Sequence, residues 1–247
     1  MSFRDDLLRH QVFLQRLIKA EVKAVRPILT AAELAAIVST DKRYDAARVK
    51  EVVKAILSEA GPFVIARMQA VAAYEAKFTY KKLKKLASKV SAPDLEKIPD
   101  RLDKTTLILG VGAAALTLAE TFDLFAKTKA KQAAQAVRDA EAQKTPPEEA
   151  HRVLKSIFAG VVTYQMISLL DSSINKSANI GRAETYSKNK ELVEMVAWTN
   201  DLDSNVCPYC EDLDGEEMSV DEFDDLYPAH ANCACFATPV FAPDAEF

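Results

Sequence analysis

The chain has 247 residues, 49% of them hydrophobic and 28% charged, an ordinary globular composition that can bury a core. Only 6 glycines are present, which suits long helices and argues against a barrel or sandwich built on many tight turns. The net charge of -4 conceals a polarity: from Asp201 onward there are 13 acidic residues and no Lys or Arg, so the first 200 residues hold all 32 basic groups against the remaining 23 acidic ones. A basic body of this kind can bind nucleic acid or an acidic partner, or can simply be a polarised surface.

Met1-Ser-Phe-Arg-Asp-Asp is charged and runs straight into an amphipathic pattern, so no export signal is expected. Leu7, Val12, Leu14, Leu17, Ile18 and Val22 recur at helical spacing and predict a helix over Phe3 to Val25. Pro27 is expected to interrupt it, and Thr30-Ala-Ala-Glu33 reads as a capping box opening a second, short helix. Asp45 to Ala60 predicts a helix stopped by Gly61, with Pro62 in the first turn of a long helix reaching about Ser88. Near the end of that helix Lys77, Lys81, Lys84, Lys85 and Lys89 fall close to one face, with Tyr74 and Tyr80 nearby. They form either a phosphate-binding stripe or a solvated helix face.

Pro93 and Pro99 mark a connection into the most apolar stretch, Thr105 to Ala119, which is too short to span a bilayer and reads as a buried core helix. Phe122, Ala126, Ala130, Ala133, Val137 and Ala140 then give a small-residue face suited to close helix packing. Thr145 reads as an N-cap, followed by Pro146 at the first helical position. The helix they open, Glu148 to Asn175, is apolar nearly all round from Ile157 to Leu170 and is expected to be the central buried helix. After Gly181, Leu192 to Trp198 and Ala237 to Phe241 fit short strands, and Ser219-Val-Asp-Glu222 caps a very short helix.

All 4 cysteines lie in this last part. Cys207 and Cys210 form a C-x2-C pair, and His230, Cys233 and Cys235 follow as H-x2-C-x-C. This is metal-ligand spacing: a tight turn presents two thiolates, and His230 with Cys233 or Cys235 closes a tetrahedron. Four of these five residues would hold a structural zinc, and the spacing does not choose between the last two cysteines. Its role would be to fold a loop with little core of its own, a contribution on the order of 10 kcal/mol. Two disulfides are the rival arrangement and need an oxidising compartment. Catalytic patterns are missing: no H-x-E accompanies the cysteines as in a zinc deaminase, and there is neither a phosphate loop nor G-x-S-x-G.

Taken in order, Ile180-Gly-Arg182-Ala-Glu184, Ala197-Trp198-Thr199, Asp203-Ser-Asn-Val-Cys207-Pro-Tyr-Cys210, Leu213-Asp214-Gly215 and Tyr227-Pro228-Ala-His230-Ala-Asn-Cys233-Ala-Cys235 resemble the C-terminal domain of the phage Mu F-like head morphogenesis proteins. The resemblance covers about the last 70 to 100 residues. It departs at Ala183, where the family has Thr or Ser, and at Ala234, where it has Arg.

The resemblance implies a non-enzymatic minor head protein of a tailed bacteriophage, made in the host cytoplasm and placed in the virion at the capsid interior or portal vertex. Portal and capsid proteins, and packaged DNA, are the implied partners. Arg182 and Glu184 are expected to pair and brace the module, and Trp198 to be core. A phage-carried metal-dependent or toxin-like enzyme, or a DNA-binding protein using the lysine helix, are the alternatives. The expected architecture is mainly α, a multi-helix body followed by a small C-terminal α+β module of zinc-binding type. The body would span residues 1–145 and the head morphogenesis domain 146–247, with the Cys/His module at 198–241. No stable membrane span is expected.

Overall fold

A computed structural model describes residues 3–40, 44–87, 89–93, 116–200 and 206–243. The described chain is mainly helical and carries a small three-stranded antiparallel sheet near its C-terminal end. The helices are α1 (Phe3–Val38), α2 (Ala46–Ser58), α3 (Ala60–Leu86), α4 (Leu118–Ala142), α5 (Pro147–Ile157) and α6 (Thr163–Ser187), with one π-helical turn, Phe158–Val162, between the last two. Then follow β1 (Val193–Thr199), α7 (Pro208–Leu213), β2 (Glu217–Met218), α8 (Val220–Leu226) and β3 (Phe236–Phe241). Pro99 and most of the apolar stretch from Thr105 lie outside the described residues.

The chain packs as two compact units that interleave along the sequence. The first takes Met1–Ile18, Ile65–Thr117 and Asp171–Phe247; the second takes Lys19–Val64 and Leu118–Leu170. Helices α1, α3 and α6 each contribute to both, so this division does not follow a boundary at residue 145.

In the second unit, Asp45 caps α2 by accepting the Arg48 N–H at 2.9 Å. Val49, Val53 and Leu57 line the buried face of α2, four residues apart each time. This helix packs on α4, whose expected small-residue face is buried from Phe122 to Ala140. The α2–α3 break falls at Glu59; Gly61 lies inside α3, where an added Cβ would stand 3.3 Å from Phe122 Cβ. The N-cap of α5 is Pro146 rather than Thr145, because the Thr145 N–H closes the end of α4 on the Ala140 carbonyl and its own carbonyl accepts the Tyr44 hydroxyl.

Two helix expectations are corrected. Pro27 does not end α1, which runs through it to Val38, and Thr30 therefore caps nothing. The buried positions run across the proline, from Val25 to Leu29, Ala32 and Ala36, and their burial offsets the lost backbone bond. Gln11 is buried and Val12 is 54% exposed, the reverse of the expected register at that point. Nor is the apolar run Ile157 to Leu170 a central buried helix. Among the described side chains of this run only the stripe Phe158, Val162, Met166 and Leu170 is buried, whereas Tyr164 is 70% exposed. The fully buried stretch comes later, Ser172 to Ala183, and it is rich in polar side chains. By length and composition the run Pro147–Ser187 could cross a membrane, a test that core helices also pass.

The first unit holds the sheet, in the order β2-β1-β3 with both pairings antiparallel. Trp198, opposite Ala237, is fully buried, as expected, and packs against Phe223 and Tyr227 at ring distances of 5.0 and 5.9 Å. The expected capping box on α8 is present: Ser219 and Glu222 each bond the other's backbone N–H. The short strand β2 was not anticipated; at 2 residues it has no periodicity to read.

Candidate metal centre

Each donor in the cysteine segment is positioned by a different local device. Cys207 is the N-cap of α7, where its Sγ accepts the Cys210 N–H at 3.4 Å. Pro208 sits at the first position of that helix, pre-set for its φ. One turn therefore aims both sulfurs of the C-x2-C pair to the same side. The turn ends at Gly215, whose φ of 86° favours glycine, and the Gly215 N–H donates to the Trp198 carbonyl at 2.8 Å. This ties the Leu213-Asp214-Gly215 element to β1.

His230, Cys233 and Cys235 come from the segment between α8 and β3. The His230 Nδ1–H donates to the Ala231 carbonyl at 2.8 Å, since a carbonyl can only accept. The other ring nitrogen, Nε2, faces Cys210 Sγ at 3.2 Å. The sulfurs of Cys210 and Cys233 are 3.9 Å apart. A tetrahedral metal with bonds of about 2.3 Å sets its sulfurs about 3.8 Å apart, so this spacing fits.

Among the described residues two groups could hold a metal ion: Cys207, Cys210 and His230, and Cys210, Cys233 and Cys235. Cys210 belongs to both. All four cysteines are free thiols rather than disulfide-bonded. The donor set, soft sulfur plus one imidazole nitrogen, matches the chemistry of a thiophilic metal.

The electrostatics of the cluster are uneven. The Cys235 thiol hydrogen-bonds to Cys233 and brings Cys233 down to about 6 despite its burial. Cys235 itself is raised, first by that same bond and then by burial. Burial, followed by the neighbouring Cys233, pushes Cys210 up to about 12. A metal binding here would displace the Cys210 proton.

The structure also places the other sequence-derived candidates. Arg182 is fully buried, and its guanidinium is paired with Glu75 of α3 at 3.3 Å, not with Glu184. The physical reason is helical geometry: residues two apart face different sides, and only positions three or four apart are neighbours. Arg182 also donates to Asn179 and to Gln11, and lies 5.1 Å from the ring centroid of Phe236. Glu75 in turn bonds His10. Lys77, Lys81, Lys84, Lys85 and Lys89 are all exposed, and Lys84 lies over the Tyr80 ring at 5.7 Å.

Sequence reasoning missed the residues that hold the cysteine segment. Asn179 donates to the Cys235 carbonyl at 3.1 Å and accepts the Ala237 N–H at 3.2 Å. The Lys176 ammonium donates to the Tyr227 carbonyl at 2.6 Å and to Asp224. Ser172 accepts the Asn232 N–H at 2.9 Å, and Gln11 donates to the Ala234 carbonyl at 3.2 Å. The available signal was a polar face at positions 172, 176 and 179, which on a helix ordinarily means solvent.

In the second unit a 430 Å³ cleft is lined by residues of α4 and α6 that include Lys129, whose pKa burial lowers. None of the sequence-derived candidate residues lines it.

Set against family models, curated proteins and solved structures, the chain matches none.

Proposed function

We propose that this chain is a structural minor head protein of a tailed bacteriophage, whose C-terminal module is locked by zinc on Cys207, Cys210, His230 and Cys233. The observation that carries the reading is the convergence of two distant sequence segments, C-x2-C and H-x2-C, on one small volume around Cys210. The chain order of the elements that build it is that of the Mu F-like C-terminal domain. Cys233 is assigned as the fourth ligand on the 3.9 Å between its sulfur and that of Cys210, and Cys235, which shares a donor group with both, is the alternative. Cys235 Sγ also stands 3.3 Å from Asn200 Oδ1. With four protein ligands the site is closed, which is the structural type of zinc site. The exposed lysines of α3 supply a face for packaged DNA or an acidic portal surface.

Two measurements test the two halves of this reading. Quantitative mass spectrometry of purified particles from the source phage is expected to find a few to a few tens of copies per virion, and absence from both virions and procapsids overturns the head-protein role. Elemental analysis of the purified full chain is expected to find one zinc per molecule, lost in Cys210→Ser. Retention of full zinc by that variant overturns the ligand set.

A further inference from the structure

We infer that the buried polar face of α6 shapes the metal-ligand segment before any metal arrives, with Lys176 and Asn179 as positioning residues. The inference rests on the metal reading just given and names what pre-forms that site.

Four side chains of α6 meet the backbone of the segment from Tyr227 to Ala237, at intervals that keep them on one side of the helix. Ser172 holds Asn232, whose φ of 61° is in the left-handed region. Lys176 ties the Tyr227 carbonyl to both the backbone and the side chain of Asp224, and so closes the C-terminal end of α8. Asn179 uses both ends of its amide, on the Cys235 carbonyl and the Ala237 N–H, and so continues the bonding of a strand edge. The Tyr186 hydroxyl donates to the Ala237 carbonyl at 3.3 Å.

Ser172, Lys176 and Asn179 are 6%, 3% and 2% exposed, so water cannot stand in for a lost partner. The segment also has an apolar anchor in the Trp198, Phe223 and Tyr227 cluster. A loop with little core of its own would need zinc to fold. With these attachments the loop is already held, and the metal locks a formed site.

The test uses the full chain and zinc alone. Zinc is stripped with a chelator, and amide exchange is followed across Val193–Thr199 and Phe236–Phe241. Zinc affinity is then measured by chelator competition for the wild type, Lys176→Met and Asn179→Leu, with exposed Lys188→Ala as control. The metal-free wild type is expected to keep its strand protection. The two α6 variants are expected to bind zinc about 10- to 100-fold more weakly, the range for partners that orient ligands.

A merely structural role would destabilise the metal-free and loaded forms equally and leave the affinity unchanged, which overturns the proposal. Loss of strand protection in the metal-free wild type overturns it as well. Where Asn179→Leu does not fold, Asn179→Ser is read in its place. Failure of the wild type to take up zinc overturns the metal reading and this inference with it, whereas wild-type uptake with unchanged variant affinity overturns the positioning role alone.

Discussion

Arg182 shows how one side chain joins the parts of the first unit. It has one ionic partner on α3 and amide partners on α1 and α6, and the Gln11 amide that it engages also bonds the Ala234 carbonyl between two cysteines. A guanidinium and a carboxylate buried together give little net stability, but removing one partner strands the other. Arg182→Met is therefore expected to cost about 3–5 kcal/mol in urea unfolding, because Glu75 would keep its burial and lose its cation. Replacing Glu75 by Met in the same chain should recover part of the loss, since the stranded carboxylate is then gone while His10 loses its acceptor. The sequence singled out Arg182 as a brace and named the wrong carboxylate. Nothing in spacing along one helix reveals a partner more than 100 positions away on another.

Between helices, the limiting contact is at Gly181. A Cβ built there would stand 2.2 Å from the Ala72 carbonyl oxygen and 2.9 Å from the Ala76 nitrogen, so α6 and α3 meet backbone to backbone. Gly181→Ala is expected to cost at least the upper end of the about 1–3 kcal/mol typical of overpacking, because the atoms in the way are main chain and cannot rotate aside. Thermal unfolding of the variant reads this directly.

The α8 capping box carries its own pH dependence. Glu222 accepts the Ser219 N–H, and these bonds hold its carboxyl below the ordinary range. A depressed folded value means that the stabilisation is present above the unfolded carboxylate range and is lost as pH falls through the folded value. The stability gap between the wild type and Glu222→Ala should therefore be open at neutral pH and close on acidification. A gap independent of pH would show that the carboxylate is not the capping group.

Across the whole chain, charge is unevenly distributed. Lys77, Lys81, Lys84 and Lys85 of α3 are exposed, while the segment from Asp201 onward carries 13 of the 36 acidic residues and no Lys or Arg. If the lysine face meets DNA, affinity for duplex DNA falls steeply with salt, and Lys81→Glu with Lys84→Glu lowers the slope of log affinity against log salt by roughly two. Filter binding across a salt series measures that slope. An unchanged slope would assign this face to a protein partner or to solvent alone.

The sequence by itself determined the helix-rich class, the two principal strands, the α8 capping box, the burial of Trp198 and the five candidate metal donors. Each of these rests on local chemistry: periodicity, a turn residue or a ligand spacing that works over a few positions. Only the tertiary structure decided that α1 passes through Pro27, that the most apolar stretch of the α5–α6 run is half exposed, and that the polar face of α6 lies inside. Burial is a property of what packs against a residue, and a polar side chain with a buried partner on another element looks, in sequence, like one that faces water. The choice of Glu75 for Arg182 and of α6 as the support for the cysteine segment could not be made until those distant elements were brought together.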